Sequence, residues 1–250
     1  MVSALSIDED GFFTPIRPGV ILRLEGGGAA VDRFNLDYLE MMLARLEGVK
    51  TALDVGSLDV NGSARSTVTM RGVGYLGADI QAGPNVDVVL DIAGAFADVD
   101  RALSGNRFDL VMSLNTLEHI FEPIKALDNM LGLARPGGYL LVAAPMVWEP
   151  HEWPRDFCRL LPDFFKKYAE ARGLTVVGGS MLVSARDTRR SSADTRNMPE
   201  EVPARRGGRL VRLIRRAAKP LVMPGLREAW PRTSVHVTLK KQGPSVHEGG

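Results

Sequence analysis

The sequence predicts an α/β fold in which a mostly parallel β-sheet is covered by helices on both faces. Three observations carry that expectation. From Thr51 onward, short runs rich in Val, Leu and Ile recur without strict polar alternation, the pattern of strands buried on both faces. Between them lie stretches whose apolar residues recur at helical spacing. With 250 residues, 45% of them hydrophobic, the chain can bury one sizeable core and is no small stapled scaffold.

In chain order, residues 1–30 contain PIRPG and EGGGAA and read as an irregular N-terminal arm, ahead of a domain expected over 31–240. A helix is expected over 32–46, where Phe34, Leu36, Leu39, Met42, Leu43 and Leu46 form one stripe. Strands are expected at 51–56, 73–79, 86–91, 108–115, 138–145, 174–182 and 234–240. Several close on Asp, Asn or Pro, at the carboxyl edge where open α/β sheets bind ligands. The crossover over 63–74 is rich in Thr, Ser, Val and Gly and reads as a weak helix. The six residues IQAGPN (80–85) are too few for a helical crossover, so a loop is expected there. Helices are expected over 121–134 and over 160–172, the latter entered through Pro162 and stopped by Gly173.

The balance of 31 Lys/Arg against 30 Asp/Glu hides an asymmetry: residues 185–232 hold thirteen basic and five acidic residues. A basic insertion is therefore expected at about 184–232, between the last two strands, with a flexible tail over 241–250. Within it, 205–221 (RRGGRLVRLIRRAAKPL) sets Leu210, Leu213, Ile214, Ala217 and Leu221 on one stripe among seven Lys/Arg. That stretch suits a lid over a pocket or a homodimer element, an anionic membrane surface, and, least well, a nucleic-acid backbone. A single cysteine, Cys158, excludes a disulfide within the chain and suits a reducing compartment. The N-terminus is acidic rather than basic, and no apolar run reaches the ~18 residues of a membrane span. A cytoplasmic protein, at most peripheral at the membrane, is expected.

The first strand runs into LDVGSLDVNGS (53–63), a small-residue turn that lets a ligand approach the backbone. Leu58 stands where a second Gly would complete a dinucleotide fingerprint, which disfavours a pyrophosphate. Asp79 ends the second strand, where a carboxylate can accept from both ribose hydroxyls, and Asp91 ends the third. Then come RFDLVMSLNTLEHIFEP (107–123) and LARPGGYLLVAAP (133–145).

With these landmarks in this order, the chain resembles the class I S-adenosylmethionine-dependent methyltransferases, specifically the small-molecule, type 11-like group whose fourth strand leads into a LEHI-like segment. The resemblance covers roughly 45–182 and the last strand. It implies a Rossmann-like seven-stranded sheet of order 3-2-1-4-5-7-6 with only the seventh strand antiparallel. It also implies S-adenosyl-L-methionine as cofactor. Asp54, Gly56 and Ser57 then form the turn around its methionine end, with Asp59 and Asn61 nearby. Asp79, followed by Ile80, takes the ribose, Asp91 and Ile92 flank adenine, and Asn115 faces the sulfonium.

His119 matches the family's EH position. It reads either as the base that strips a proton from the acceptor or, with Glu118, as a cap on a helix beginning near Ile120. The segment PHEWPRDFCRLLPDFF (150–165) resembles the H-x-x-P-x-D-[FYW]-x-R motif of a subset of these enzymes. His151 and Trp153 suit the wall of a pocket for a sugar-like acceptor, whereas Arg159 either contacts the acceptor or pairs with Asp156 at i, i+3. The four histidines, at 119, 151, 236 and 247, lack linear metal-ligand spacing, so no metal site is indicated. SLNT replaces the Asn/Asp-Pro-Pro-aromatic motif of base and glutamine amide methylation. The implied function is methyl transfer to a hydroxyl, or less favourably an amine, of a small-molecule or glycan-like acceptor. The alternative is a non-catalytic binding or membrane-docking protein of the same fold.

Overall fold

A computed structural model describes residues 5–7, 13–15, 33–60, 62–148, 151, 155–184 and 232–243. Among them nine strands form one sheet: β1 (Leu5–Ile7), β2 (Phe13–Pro15), β3 (Thr51–Val55), β4 (Gly74–Asp79), β5 (Val88–Val89), β6 (Phe108–Leu114), β7 (Ala134–Val147), β8 (Thr175–Ser184) and β9 (Arg232–Lys240). Their order is β2-β1-β8-β9-β7-β6-β3-β4-β5. The pairs from β5 to β7 are parallel, while β9 runs antiparallel to both β7 and β8. Counted from Thr51, this is the expected seven-stranded order 3-2-1-4-5-7-6.

Side-chain alternation along the central strands splits the core into two layers, as the period of two requires. Leu53, Val111, Leu140 and Val142 point to one face, under α3 (Phe96–Ala102), α4 (Pro123–Leu133) and α5 (Pro162–Arg172). Ala52, Leu110, Met112 and Leu141 point to the other, under α1 (Arg33–Leu43) and α2 (Arg65–Thr69). Both faces are thus buried, which is why these strands read as continuous apolar runs.

Four features depart from the sequence reading. The arm expected to be irregular contributes β1 and β2, a short antiparallel pair in which Leu5 and Ser6 pair with Met181 and Ser180 of β8. An otherwise open sheet edge is thereby partnered. The third strand is cut to two residues, and its register (Ala78↔Val88, Asp79↔Val89) pairs it only with the carboxyl end of β4. The 80–85 loop therefore never has to retrace β4, which is how six residues suffice. Helix α3 went unread, although Phe96, Val99 and Leu103 are spaced for one face, and Val99 and Leu103 are buried. Finally, the helix expected from about Ile120 starts at Pro123, and LEH (Leu117–His119) forms a separate 3-10 turn before it. The insertion over 185–231 and the tail over 244–250 lie outside the described residues.

Candidate active site

The loops after β3, β4 and β6 meet at the carboxyl edge. Gly56, at φ +83°, makes the turn after β3, and a Cβ there would lie 2.0 Å from Thr116 Oγ1, so the two loops touch and only glycine fits between them. The amides of Gly56 and Ser57 both donate to the Ala78 carbonyl, at 2.8 and 3.1 Å, tying this turn to the end of β4. Asp79 is held by two amides: Leu58 N donates to Oδ2 at 3.1 Å and Gln81 N to Oδ1 at 2.9 Å. Each oxygen keeps lone-pair capacity for a further donor. Leu58, the departure from a glycine fingerprint, packs over Gly83, where a Cβ would come within 2.4 Å of Leu58 Cδ1. Ile80 beside it is exposed, as is Asp91, whose Oδ1 accepts from Ala93 N at 2.9 Å. The Ile92 side chain, expected against adenine, is instead buried in the core with Leu90 and Val99. Asn61 lies outside the described residues.

Behind this edge is a polar network absent from the sequence reading. Tyr75 donates its hydroxyl to Asp54 Oδ2 at 2.5 Å. Asn85 Nδ2 reaches the Tyr75 hydroxyl at 3.0 Å and the Ser57 carbonyl at 2.8 Å. Arg65 binds Asn85 Oδ1 at 2.5 Å and Asp87 Oδ2 at 2.6 Å, with its guanidinium 4.4 Å from the Tyr75 ring centre. This network fixes the loop between β4 and β5. Gly77 is required for the same contact, because a Cβ there would sit 2.2 Å from the Asn85 carbonyl oxygen.

Asp54 is therefore a buried anchor of the turn. Burial pushes its carboxyl up from 3.8 to about 6, against the Tyr75 hydrogen bond and the Arg65 charge, which lower it. Between those two values the folded protein holds a proton that the unfolded chain has lost, so this contribution to stability falls as pH rises and levels off above about 6. The full change is about 3 kcal/mol. Asp54→Asn should lose this slope and unfold at higher urea than the parent at pH 7.5. Urea titrations of both proteins at pH 4.5 and 7.5 check it.

At the end of β6, Asn115 adopts a left-handed conformation, φ +53°, unusual without glycine. Its amide donates to the Ala143 carbonyl at 2.9 Å, and its buried Oδ1 has no hydrogen-bond partner among the described residues. The 3-10 turn then buries Glu118 at 1% exposure. His119 Nδ1 lies 2.6 Å from the Arg155 carbonyl oxygen, an acceptor that assigns the proton of a neutral ring to Nδ1 and the lone pair to Nε2. His119 Nε2 is 3.7 Å from Glu118 Oε1.

The segment after β7 folds back onto this turn, since Phe157 N donates to the Glu118 carbonyl at 2.8 Å. His151 Nε2 lies 3.9 Å from Glu118 Oε1, its Nδ1 lies 3.4 Å from Asp156 Oδ2, and its ring meets that of His119 edge-on at 4.7 Å. Arg159 forks onto both carboxylate oxygens of Asp156 and donates to the Cys158 and Trp148 carbonyls. Of the two readings of Arg159, the structural clamp is the one seen here. Although burial opposes it, the Arg159 and His151 hydrogen bonds hold the Asp156 carboxyl below its usual range. Burial, reinforced by Glu118, pushes the Cys158 thiol up, away from nucleophilic use. Trp153 lies outside the described residues. Linear spacing indicated no metal site, yet the fold brings ligand atoms of Glu118, His119 and His151 within 4.8 Å of one another.

Comparison with known proteins agrees with this architecture. Residues 53–142 match the family described as methyltransferase domain. A candidate methyltransferase from Bacillus halodurans C-125 shares the fold with a TM-score of 0.59 at 13% identity, over 84% of this chain and 99% of that one. The [4+2]-cyclase SpnF superposes with a TM-score of 0.51 at 17% identity, over 83% and 82%. In sequence, the chain is 30% identical over 157 residues to an uncharacterized Mycobacterium tuberculosis protein, over 58% of this chain and 51% of that one. It is also 30% identical over 122 residues to the ubiquinone biosynthesis O-methyltransferase of Alkalilimnicola ehrlichii, over 44% and 47%. The chain thus spans about half the length of the curated relatives it matches. The matched segment resembles the methyltransferase domain family, and the sheet has the fold of these methyltransferase structures.

Proposed function

We propose that the protein transfers a methyl group from S-adenosylmethionine to a hydroxyl, less favourably an amine, of a small-molecule or glycan-like acceptor. The observation that carries this reading is the pairing of two unlike sites along one sheet edge. One is the glycine turn closed onto Asp79, and the other is the His119 group beyond Asn115. Asp79 would hold the ribose, Gly56 and Ser57 the methionine end, Ile80 and Asp91 the adenine side, and Asn115 Oδ1 the neighbourhood of the sulfonium. Asn115 fits because a buried oxygen without a partner among the described residues has capacity for a ligand. The cofactor supplies, when bound, an electrophilic methyl on an excellent leaving group. The chain's own work is then alignment of the acceptor and handling of its proton, and His119 is the residue at which that proton is handled. The O-methyltransferase relative supports a hydroxyl acceptor.

Calorimetric titration with S-adenosylmethionine, S-adenosylhomocysteine and NAD tests the cofactor side, with binding of the first two and none of NAD expected. Transfer of labelled methyl groups into cell extracts, read by mass spectrometry, tests the acceptor side. Cofactor binding without transfer to any acceptor would favour the non-catalytic alternative. Leu58 does not support that alternative, because its amide holds Asp79 and its side chain covers Gly83.

The proposed setting is the cytoplasm, with the basic stretch 205–221 available to an anionic membrane. Pelleting with anionic vesicles at low salt, lost at high salt and on deletion of 186–230, would support a membrane helix. Salt-insensitive loss of turnover on deletion, with no vesicle binding, would instead make the stretch a lid.

A further inference from the structure

We propose that Glu118, His119 and His151 form a binding site for a divalent first-row transition cation, with Zn²⁺ as the ion of choice. The inference rests on reading this pocket as the acceptor side of a methyltransferase, and it specifies how His119 serves the acceptor there.

Three observations bear on it. The first is the ligand set. Two imidazole nitrogens and one carboxylate oxygen lie within 4.8 Å of one another, contributed by residues 118, 119 and 151. Two imidazoles with one carboxylate suit Zn²⁺ and its neighbours, whereas Mg²⁺ and Ca²⁺ prefer all-oxygen shells. The second is the spacing. The Glu118 Oε1 distances to His119 Nε2 and His151 Nε2, 3.7 and 3.9 Å, are too long for hydrogen bonds. They are a few tenths of an ångström wider than the edge of a tetrahedron with bonds of about 2.0–2.1 Å, which is about 3.3 Å. The third edge, between the two imidazoles, lies within 4.8 Å, so binding would draw the His119 and His151 rings together by side-chain rotation.

The third observation concerns the groups behind the ligands, and it separates this cluster from a chance meeting of polar side chains. Ligating histidines donate their second ring N–H to a carbonyl or a carboxylate. His119 Nδ1 is set against the Arg155 carbonyl at 2.6 Å, and His151 Nδ1 against Asp156 at 3.4 Å. Asp156 is itself clamped by the Arg159 fork and accepts the His151 amide at 2.9 Å. Both rings are thus oriented from behind, with Nε2 toward Glu118. The carboxylate is buried at 1% exposure, out of reach of bulk water. Three protein ligands leave at least one coordination position open, the arrangement of a catalytic rather than a structural site. An acceptor hydroxyl taking that position would lose its proton to water more readily, because the cation stabilises the resulting alkoxide.

The test is metal binding measured apart from turnover. Chelator-stripped full-length protein is titrated with Zn²⁺ by calorimetry, and with Co²⁺ by visible absorption. One Zn²⁺ per chain is expected, with a Co²⁺ spectrum that includes nitrogen ligands. Affinity should fall at least about 100-fold in His151→Ala and in Glu118→Gln, the second of which keeps side-chain volume. Circular dichroism and S-adenosylhomocysteine affinity report whether each variant folds. Mg²⁺ should not compete at tenfold excess. No Zn²⁺ binding by the folded parent, or binding unchanged in both folded variants, would overturn the proposal. Should both variants fail to fold, carbethoxylation of the parent decides. Zn²⁺ should shield His119 and His151 from the reagent, and equal modification with and without Zn²⁺ would overturn it. Methyl transfer that persists in fully stripped protein removes the cation from catalysis and leaves the methyltransferase reading standing. Zn²⁺ bound at the site with no transfer to any acceptor defeats that reading instead.

Discussion

Asp79→Ala should bind S-adenosylmethionine about 10²–10⁴-fold more weakly than the parent, because each charge-assisted hydrogen bond to a ribose hydroxyl contributes about 1.5–3 kcal/mol and two are lost together. In this protein the carboxylate has a second task, since it accepts from the Leu58 and Gln81 amides and so shapes the turn. Part of the loss on truncation therefore comes from the turn relaxing. Asp79→Asn separates the two contributions. It keeps the shape and one acceptor oxygen while removing the charge, so it should fall between parent and Ala. Calorimetry with S-adenosylhomocysteine on all three, beside thermal melts, reads both effects. Affinity within threefold of the parent in Asp79→Ala would remove this residue from the site.

The sheet was legible because its strands are buried on both faces: Leu110, Met112 and Leu141 face one helix layer while Val111, Leu140 and Val142 face the other. Such strands leave continuous apolar runs that no surface helix imitates. Short elements were not legible in the same way. β5 has two residues, too few for any periodicity, and its brevity is visible only in its register with β4. β1 and β2 have three residues each and owe their structure to pairing at the β8 edge, which no local propensity records. Helix α3 carries an apolar stripe but only seven residues.

The site divides along the same line. Residues whose position depends on a strand end, Gly56, Asp79 and Asn115, could be placed from the sequence, since a strand end fixes where a residue stands on the sheet. Contacts between loops could not. Tyr75 in β4, Asn85 in the loop after it and Arg65 at the start of α2 form one network ending on Asp54, and nothing in their spacing announces it. The approach of His151 to His119 depends on the segment after β7 folding back onto the 3-10 turn. The one sequence signal for that approach was Asp156 and Arg159 at i, i+3. Their pairing turns out to brace His151 rather than merely to decorate a helix turn.

His119→Ala should lower kcat about 10²–10⁴-fold on a hydroxyl acceptor while S-adenosylmethionine affinity stays within about twofold. The split follows from the fold. The proposed cofactor groups stand after β3, β4 and β5, with Asn115 at the end of β6, whereas His119 stands on the 3-10 turn beyond Asn115 and is oriented by the Arg155 carbonyl from the segment beyond β7. Removing its ring leaves the Gly56 turn and the Asp79 carboxylate in place, so binding and turnover separate. His119→Gln keeps a polar group of similar reach but supplies neither a basic nitrogen nor an imidazole ligand, so it should not rescue turnover. Added imidazole should restore part of the activity in the Ala variant. A loss below tenfold across neutral pH, without rescue by imidazole, would assign His119 to positioning alone and point to an acceptor already nucleophilic without loss of a proton. If Asp79→Ala in the same assay loses cofactor affinity and His119→Ala does not, the two ends of the sheet edge carry separate tasks, as methyl transfer to a hydroxyl requires.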